Sequence, residues 1–143
     1  MMVTQSQVSF ASKMIDKIGW LLVQDQKVLM VRSQSKDKFY APGGKREAGE
    51  SDEQALVREI KEELGVDIVP ATIKHLQTFK AQAHGQPEGV FVQIAGYGAD
   101  YTGELQPQSE IEEMTWFTSA DYERATEPGK LILSWLKEQG LIR

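Results

Sequence analysis

Residues 43–66 read GGKREAGESDEQALVREIKEELGV, from Gly43 to Val66, and they organise the rest of the chain. The second half of the stretch is the clearest helix in the sequence, Ser51 to Leu64. Ser51 with Gln54 three residues on has the form of a capping box. Asp52 and Glu53 fall in the first turn, where the helix dipole favours negative charge. Val57, Ile60 and Leu64 make an apolar stripe with Leu56 at its edge, and Gly65 supplies a C-terminal stop. Glu59, Glu62 and Glu63 lie three and four residues apart, so they are neighbours on the helix surface. Like charges at that spacing repel by roughly 0.2–0.5 kcal/mol per pair on an exposed helix. A shared divalent cation reverses the penalty, and oxygen ligands without cysteine suit Mg²⁺ or Mn²⁺ better than zinc. Arg58 stands four residues before Glu62 and is placed to hold a carboxylate. Gly43-Gly44 reads as a tight loop whose bare N–H and C=O groups can meet a phosphate or a metal. The plainer alternative is a glutamate-rich helix that is simply solvated.

Outward from this stretch, Ile18–Val23 and Lys27–Arg32 read as a hairpin across Gln24-Asp25-Gln26, followed by a polar loop from Ser33 to Lys38. Downstream, Ile73–Ala83 and Val90–Tyr97 read as strands joined around His84-Gly85-Gln86-Pro87. Gly98–Ser109 reads as a loop and Ile111–Phe117 as a last strand. Ser119 caps a short helix to Ala125. Pro128–Gln139 reads as a terminal helix with Leu131, Ile132, Trp135 and Leu136 on its apolar side. Mixed strands and helices of this order fit an α+β fold or a layered α/β/α sandwich.

The 143 residues are the size of one domain, so 1–143 is expected to be a single unit, with residues 1–14 either disordered or an N-terminal arm. The net charge of −5, with both signs interspersed, argues against a stable nucleic-acid partner, which needs many Lys and Arg against phosphates. No apolar run reaches membrane-spanning length, and the N-terminus is a poor signal peptide, so a cytoplasmic protein with no membrane partner is expected. The absence of cysteine excludes disulfides, thiolate zinc sites and Cys nucleophiles.

From Gly44 the chain runs Gly44, five residues, Glu50, seven residues, then Arg58-Glu59-Ile60-Lys61-Glu62-Glu63-Leu64-Gly65-Val66. This resembles the Nudix box, GX5EX7REUXEEXGU with U aliphatic, and every specified position matches over about one-sixth of the chain. The resemblance, to the small MutT-like members, implies a Nudix-type α/β/α sandwich with a mixed sheet, a catalytic helix and a C-terminal helix. It implies a Mg²⁺- or Mn²⁺-dependent enzyme that splits a phosphoanhydride bond in a small-molecule nucleotide, and it admits a homodimer. It makes Glu59 and Glu63 the strongest metal ligands, with Glu62 beside them and a backbone carbonyl of Gly43 or Gly44 as a further ligand. Glu50 takes a lesser metal-site or structural role, and Arg58 orients a box glutamate. Glu59, or a carboxylate outside the box, serves as base; Glu110 ranks ahead of Glu112 and Glu113 for that outside position.

Substrate choice is not set by the specified positions of the box. Arg32 ranks first among cations for phosphate, with Lys45, Arg46 and Lys38 behind it. Tyr40, Phe39 and Trp116 are stacking candidates, together with Trp20, Phe79 and Phe91, although aromatics on strands more often pack inward. His75 and His84 are the only histidines, and His84 reads as an incidental surface residue. The motifs that mark the NADH, coenzyme A, ADP-ribose and diadenosine polyphosphate subfamilies are not found. Elimination leaves a nucleoside triphosphate, including oxidised ones, cut to monophosphate and pyrophosphate. Another nucleoside diphosphate derivative such as a nucleotide sugar, or a silent nucleotide sensor, is the alternative.

Overall fold

The computed structural model describes residues 13–83 and 86–143. The readings for His84 and for most of the N-terminal arm lie outside those residues, whereas Lys13 and Met14 belong to the first strand. In chain order the elements are β1 (Lys13–Trp20), β2 (Val23–Gln24), β3 (Lys27–Ser33), β4 (Gly43–Gly44), α1 (Asp52–Leu64), β5 (Asp67–Ile68), β6 (Lys74–Gln82), β7 (Val90–Gly98), β8 (Tyr101–Thr102), β9 (Ile111–Phe117) and α2 (Glu127–Glu138). A single 3-10 turn occupies Pro70–Thr72, and Ser119–Arg124 is a short 3-10 helix capped by Thr118.

The strands form a four-stranded sheet in the order β4-β1-β7-β6, a three-stranded sheet β2-β3-β9 and a small β5-β8 pair. β1 runs parallel to β7; the other pairs are antiparallel. The expected hairpin is corrected here. The apolar run divides at Leu21-Leu22 between two sheets, and only Val23-Gln24 pairs with β3. The handover is visible in the backbone: Leu21 N–H donates to the Tyr97 carbonyl at 2.8 Å, while Leu29 N–H donates to the Leu22 carbonyl at 2.9 Å. The two residues that turn the chain, Asp25 (φ 52) and Gln26 (φ 62), both sit in the left-handed region, the geometry of a two-residue hairpin turn. Gly98–Ser109 is also not wholly loop, since Tyr101–Thr102 pairs with β5.

Val28, Leu29, Met30 and Val31 are all fully buried, as expected for a strand covered on both faces rather than one. Alternate residues enter separate cores. Leu29 and Val31 join Ile18, Trp20, Leu56, Ile60 and Leu64 beneath α1. Val28 and Met30 join Phe117, Ile132, Leu133 and Leu136 beneath α2. Helices thus cover opposite faces of a mixed β layer, an α/β/α sandwich. Two side-chain placements differ from the sequence reading. Leu56 is at the centre of its core rather than at the edge, and Leu131 is 41% exposed while Leu133 packs inward. No helix among the described residues is long and apolar enough to cross a membrane.

Candidate active site

The site begins with how α1 is started and aimed. Ser51 accepts from Gln54 N–H at 3.1 Å and the Gln54 side chain accepts from Ser51 N–H at 2.9 Å, so the capping box is complete. The helix ends at Gly65, whose φ of 73° is left-handed. Between these caps, Glu59 and Glu63 share a face one turn apart, and that face meets β4. Gly43 and Gly44, expected as loop, are a short strand paired with Gly19 and Ile18 of β1. Gly43 has φ 145°, and a β-carbon there would lie 2.1 Å from the Ile18 carbonyl oxygen. At Gly44 a β-carbon would lie 2.5 Å from Glu59 Oε2, so the glycine lets the carboxylate press against the backbone.

Glu59, Glu63, Gly43 and Gly44 line one cleft of about 420 Å³. Glu63 is only 3% exposed, and its Oε1 accepts from Gly43 N–H at 3.1 Å. Burial pushes its carboxyl up to about 9, with Glu59 and Glu110 adding repulsion; the Gly43 N–H and Lys17 oppose the shift. Burial also raises Glu59, against the pull of Arg58. Glu110 lines the same cleft; its neighbours Glu112 and Glu113 do not, because both bind Arg32.

Arg58 is an anchor. Nε and Nη2 grip Glu50 at 2.6 and 2.8 Å, Nη1 reaches Glu59 at 3.1 Å, and Nη2 also donates to the Lys45 carbonyl at 3.1 Å. Paired carboxylates, Glu50 foremost, hold its guanidinium well above the usual arginine range. Arg58 and the Glu47 N–H bring the Glu50 carboxyl down to about 2. Glu50 therefore ties the loop to the helix and does not line the cleft. Glu62 also departs from the convergence expected of the three helical acids. It is 54% exposed, lies 3.5 Å from Arg58 Nη1 and is absent from the cleft lining. Among the described residues no three acids or histidines form a ready-made metal-ligand group.

The donor set nevertheless fits an oxygen-preferring divalent cation. Two carboxylates lining one cleft, one buried and one partly so, a third facing the same cleft, and backbone groups at Gly43 and Gly44 form a donor set that suits Mg²⁺ or Mn²⁺. When bound, such an ion neutralises and orients pyrophosphate oxygens.

The substrate-contact readings divide. Lys45 and Tyr40 line the cleft. The Tyr40 hydroxyl hydrogen-bonds with that of Ser33, and burial pushes it up to about 12. Arg32 is corrected: Glu112, Glu113 and the Lys36 carbonyl occupy its guanidinium, and it does not line the cleft. Phe39 is buried against Phe117, under the guanidinium of Arg124. Trp116 pairs with Leu29 and packs on the core beneath α1. Trp20 is wholly buried and donates to the Ala99 carbonyl at 3.1 Å. Lys38 lines the cleft but donates to the Glu123 carbonyl at 2.8 Å. Arg46 joins Asp16 of β1 to Asp52 of α1.

Sequence reasoning missed the wall opposite the acids. Ile15 and Lys17 of β1, Ala83 after β6, and Val92 and Ile94 of β7 line it. The available signal was the two-residue period of the first strand, which puts Ile15 and Lys17 on one face and Ile18 and Trp20 on the other.

A family model described as NUDIX domain matches residues 16–136. The chain is 29% identical over 125 residues to the uncharacterized Nudix hydrolase YvcI of Bacillus subtilis (strain 168), covering 85% of this chain and 79% of that protein. It is 36% identical over 105 residues to the NAD-capped RNA hydrolase NudC of Stutzerimonas stutzeri (strain A1501), covering 68% of this chain but only 34% of that protein. Among solved structures, the E. coli ORF135 protein superposes with a TM-score of 0.66 at 25% identity, covering 91% of this chain and 95% of that one. A sandwich with a capped, acid-bearing helix against a glycine strand, and a family match across nearly its whole length, have one reading: the chain belongs to the NUDIX domain family and is a MutT-like Nudix hydrolase, an enzyme acting on acid anhydrides.

Proposed function

We propose that this chain hydrolyses a phosphoanhydride bond in a nucleoside diphosphate derivative with the aid of Mg²⁺ or Mn²⁺, and that a nucleoside triphosphate cut to monophosphate and pyrophosphate is the first substrate to test. The observation that carries this reading is the placement of Glu59 and Glu63 in one cleft against Gly43 and Gly44. Glu59 and Glu63 hold the cation, and Arg58 fixes the Glu59 carboxylate while Glu50 fixes Arg58. Glu62 contributes charge near Arg58 from outside the cleft. A water oxygen attacks phosphorus, the bridging P–O bond breaks, and the proton lost from water passes to a carboxylate. Glu110 is the better acceptor, because its side chain has no ion pair or hydrogen bond among the described residues, whereas Glu59 is held by Arg58. Lys45 meets phosphate and Tyr40 the nucleoside side.

The name of NudC, a hydrolase of NAD-capped RNA, widens the substrates worth testing beyond triphosphates. The test is release of phosphate, pyrophosphate or nucleoside monophosphate from a panel of triphosphates, dinucleotides and nucleotide sugars, with Mg²⁺, with Mn²⁺ and with chelator. Cation-dependent turnover of at least one class supports the reading. Saturable binding with no turnover across the panel points instead to a sensor, and turnover that survives chelation removes the cation from the account.

A further inference from the structure

Lys17 belongs to none of the roles assigned above. It lies in the middle of β1, paired with Ile94 of β7, and the next two residues of the strand pair with Gly44 and Gly43. The side chain is half-buried and lines the cleft. Glu63 and Glu59 are the carboxylates close enough to act on it, and Lys45 is the neighbouring cation. Four other cations near the site are already committed: Arg58 to Glu50 and Glu59, Arg46 to Asp16 and Asp52, Arg32 to Glu112 and Glu113, Lys38 to a backbone carbonyl; Lys45 and Lys36 line the cleft beside Lys17. Among the described residues Lys17 makes no ion pair or hydrogen bond.

A half-buried ammonium gains stability only from the anions around it. The two acids that face Lys17 are the same two that a divalent cation would claim. With those acids shared, and a cation close by, the ammonium needs another anion, and the diphosphate of a bound substrate is the one the cleft admits. Lysine suits this role, as a mobile point charge on a flexible stem. Its mounting on a strand paired on both sides fixes the base of that stem.

We propose that Lys17 is a substrate-binding residue that grips a non-bridging phosphate oxygen of the scissile diphosphate. The inference rests on the diphosphate reading given above. Its test therefore uses a probe that cannot be cleaved. Methylenediphosphonate would be titrated calorimetrically in the presence of Mg²⁺ into the full chain, the Lys17→Met variant, which keeps the stem, and the Lys17→Arg variant, which keeps the charge. Loss of a charged hydrogen bond to phosphate weakens binding about tenfold in Lys17→Met. Lys17→Arg is expected to stay near the parent. With whichever substrate the panel identifies, Lys17→Met raises KM far more than it lowers kcat. Lys17→Gln replaces the Met variant if circular dichroism shows the latter unfolded. Equal diphosphonate affinity in the charge-removed variant overturns the proposal, as does a fall in kcat with affinity unchanged. A panel without turnover, together with weakened diphosphonate binding in Lys17→Met, removes the proposed reaction but leaves the assignment of Lys17 standing.

Discussion

Gly44 and the Glu59 carboxylate occupy a space with no room for a methyl group. Gly44→Ala is expected to push the carboxylate off its position, and a displacement of about 1 Å in a reacting group costs on the order of a hundredfold in rate. Steady-state kinetics beside a thermal melt would check this: turnover drops while the fold persists, because the obstructing atoms belong to a flexible side chain. Gly43→Ala acts differently, since its obstruction is the Ile18 backbone and its φ is left-handed. Forcing such a residue costs about 1–3 kcal/mol, so urea unfolding should show lost stability. Glu63→Gln keeps an acceptor for the Gly43 N–H and removes the carboxyl that can ionise to meet a cation. Turnover is expected to fall by orders of magnitude with no loss of melting temperature; a near-parent rate sinks the proposed role. At this scale the acids and glycines were legible in the sequence, because their spacing is local. Arg32 was not, because the carboxylates that claim it arrive from β9 at the other end of the chain.

At the scale of one element, α1 is a helix whose start is secured twice. Ser51→Ala removes the cap and is expected to cost about 1 kcal/mol, measured as a lowered urea midpoint at unchanged slope. The second restraint is the Glu50–Arg58 pair, and it depends on pH. Glu50 is depressed to about 2 from an ordinary 4.5, so the stability it adds is fully present above the unfolded value and is lost as pH falls from about 4.5 to about 2. Unfolding measured across that window should steepen on the acid side, and Glu50→Gln should flatten that limb. The helix could be read because its caps and stripe lie within a few residues of each other. The strands could not be delimited that way. A continuous apolar run looks the same whether it stays in one sheet or passes between two, and the division at Leu21-Leu22 is decided by distant partners, Tyr97 among them.

At the scale of the whole molecule, the two larger cores among the described residues lie one under each helix. The α2 core gives a paired prediction. Leu133→Ala should cost about 2–5 kcal/mol, as for other buried leucines. Leu131→Ala should change stability by no more than about 0.5 kcal/mol, as at exposed sites. The layered architecture was legible from element order and the glutamate face from spacing; the wall that holds Lys17 among aliphatic residues was not, because its members come from three separate stretches of the chain and meet only through tertiary structure. That wall depends on β1 lying parallel to β7, which joins residues 13–20 to residues 90–97. Contacts so distant along the chain pay a loop-closure cost before they return anything. During synthesis, therefore, the contacts within the acidic helix are available early, while the enclosure for a ligand waits until the seventh strand has emerged. A nascent chain stalled before Val90 would lack the Val92 and Ile94 part of the wall and Glu110, so the cleft would be completed only late in translation.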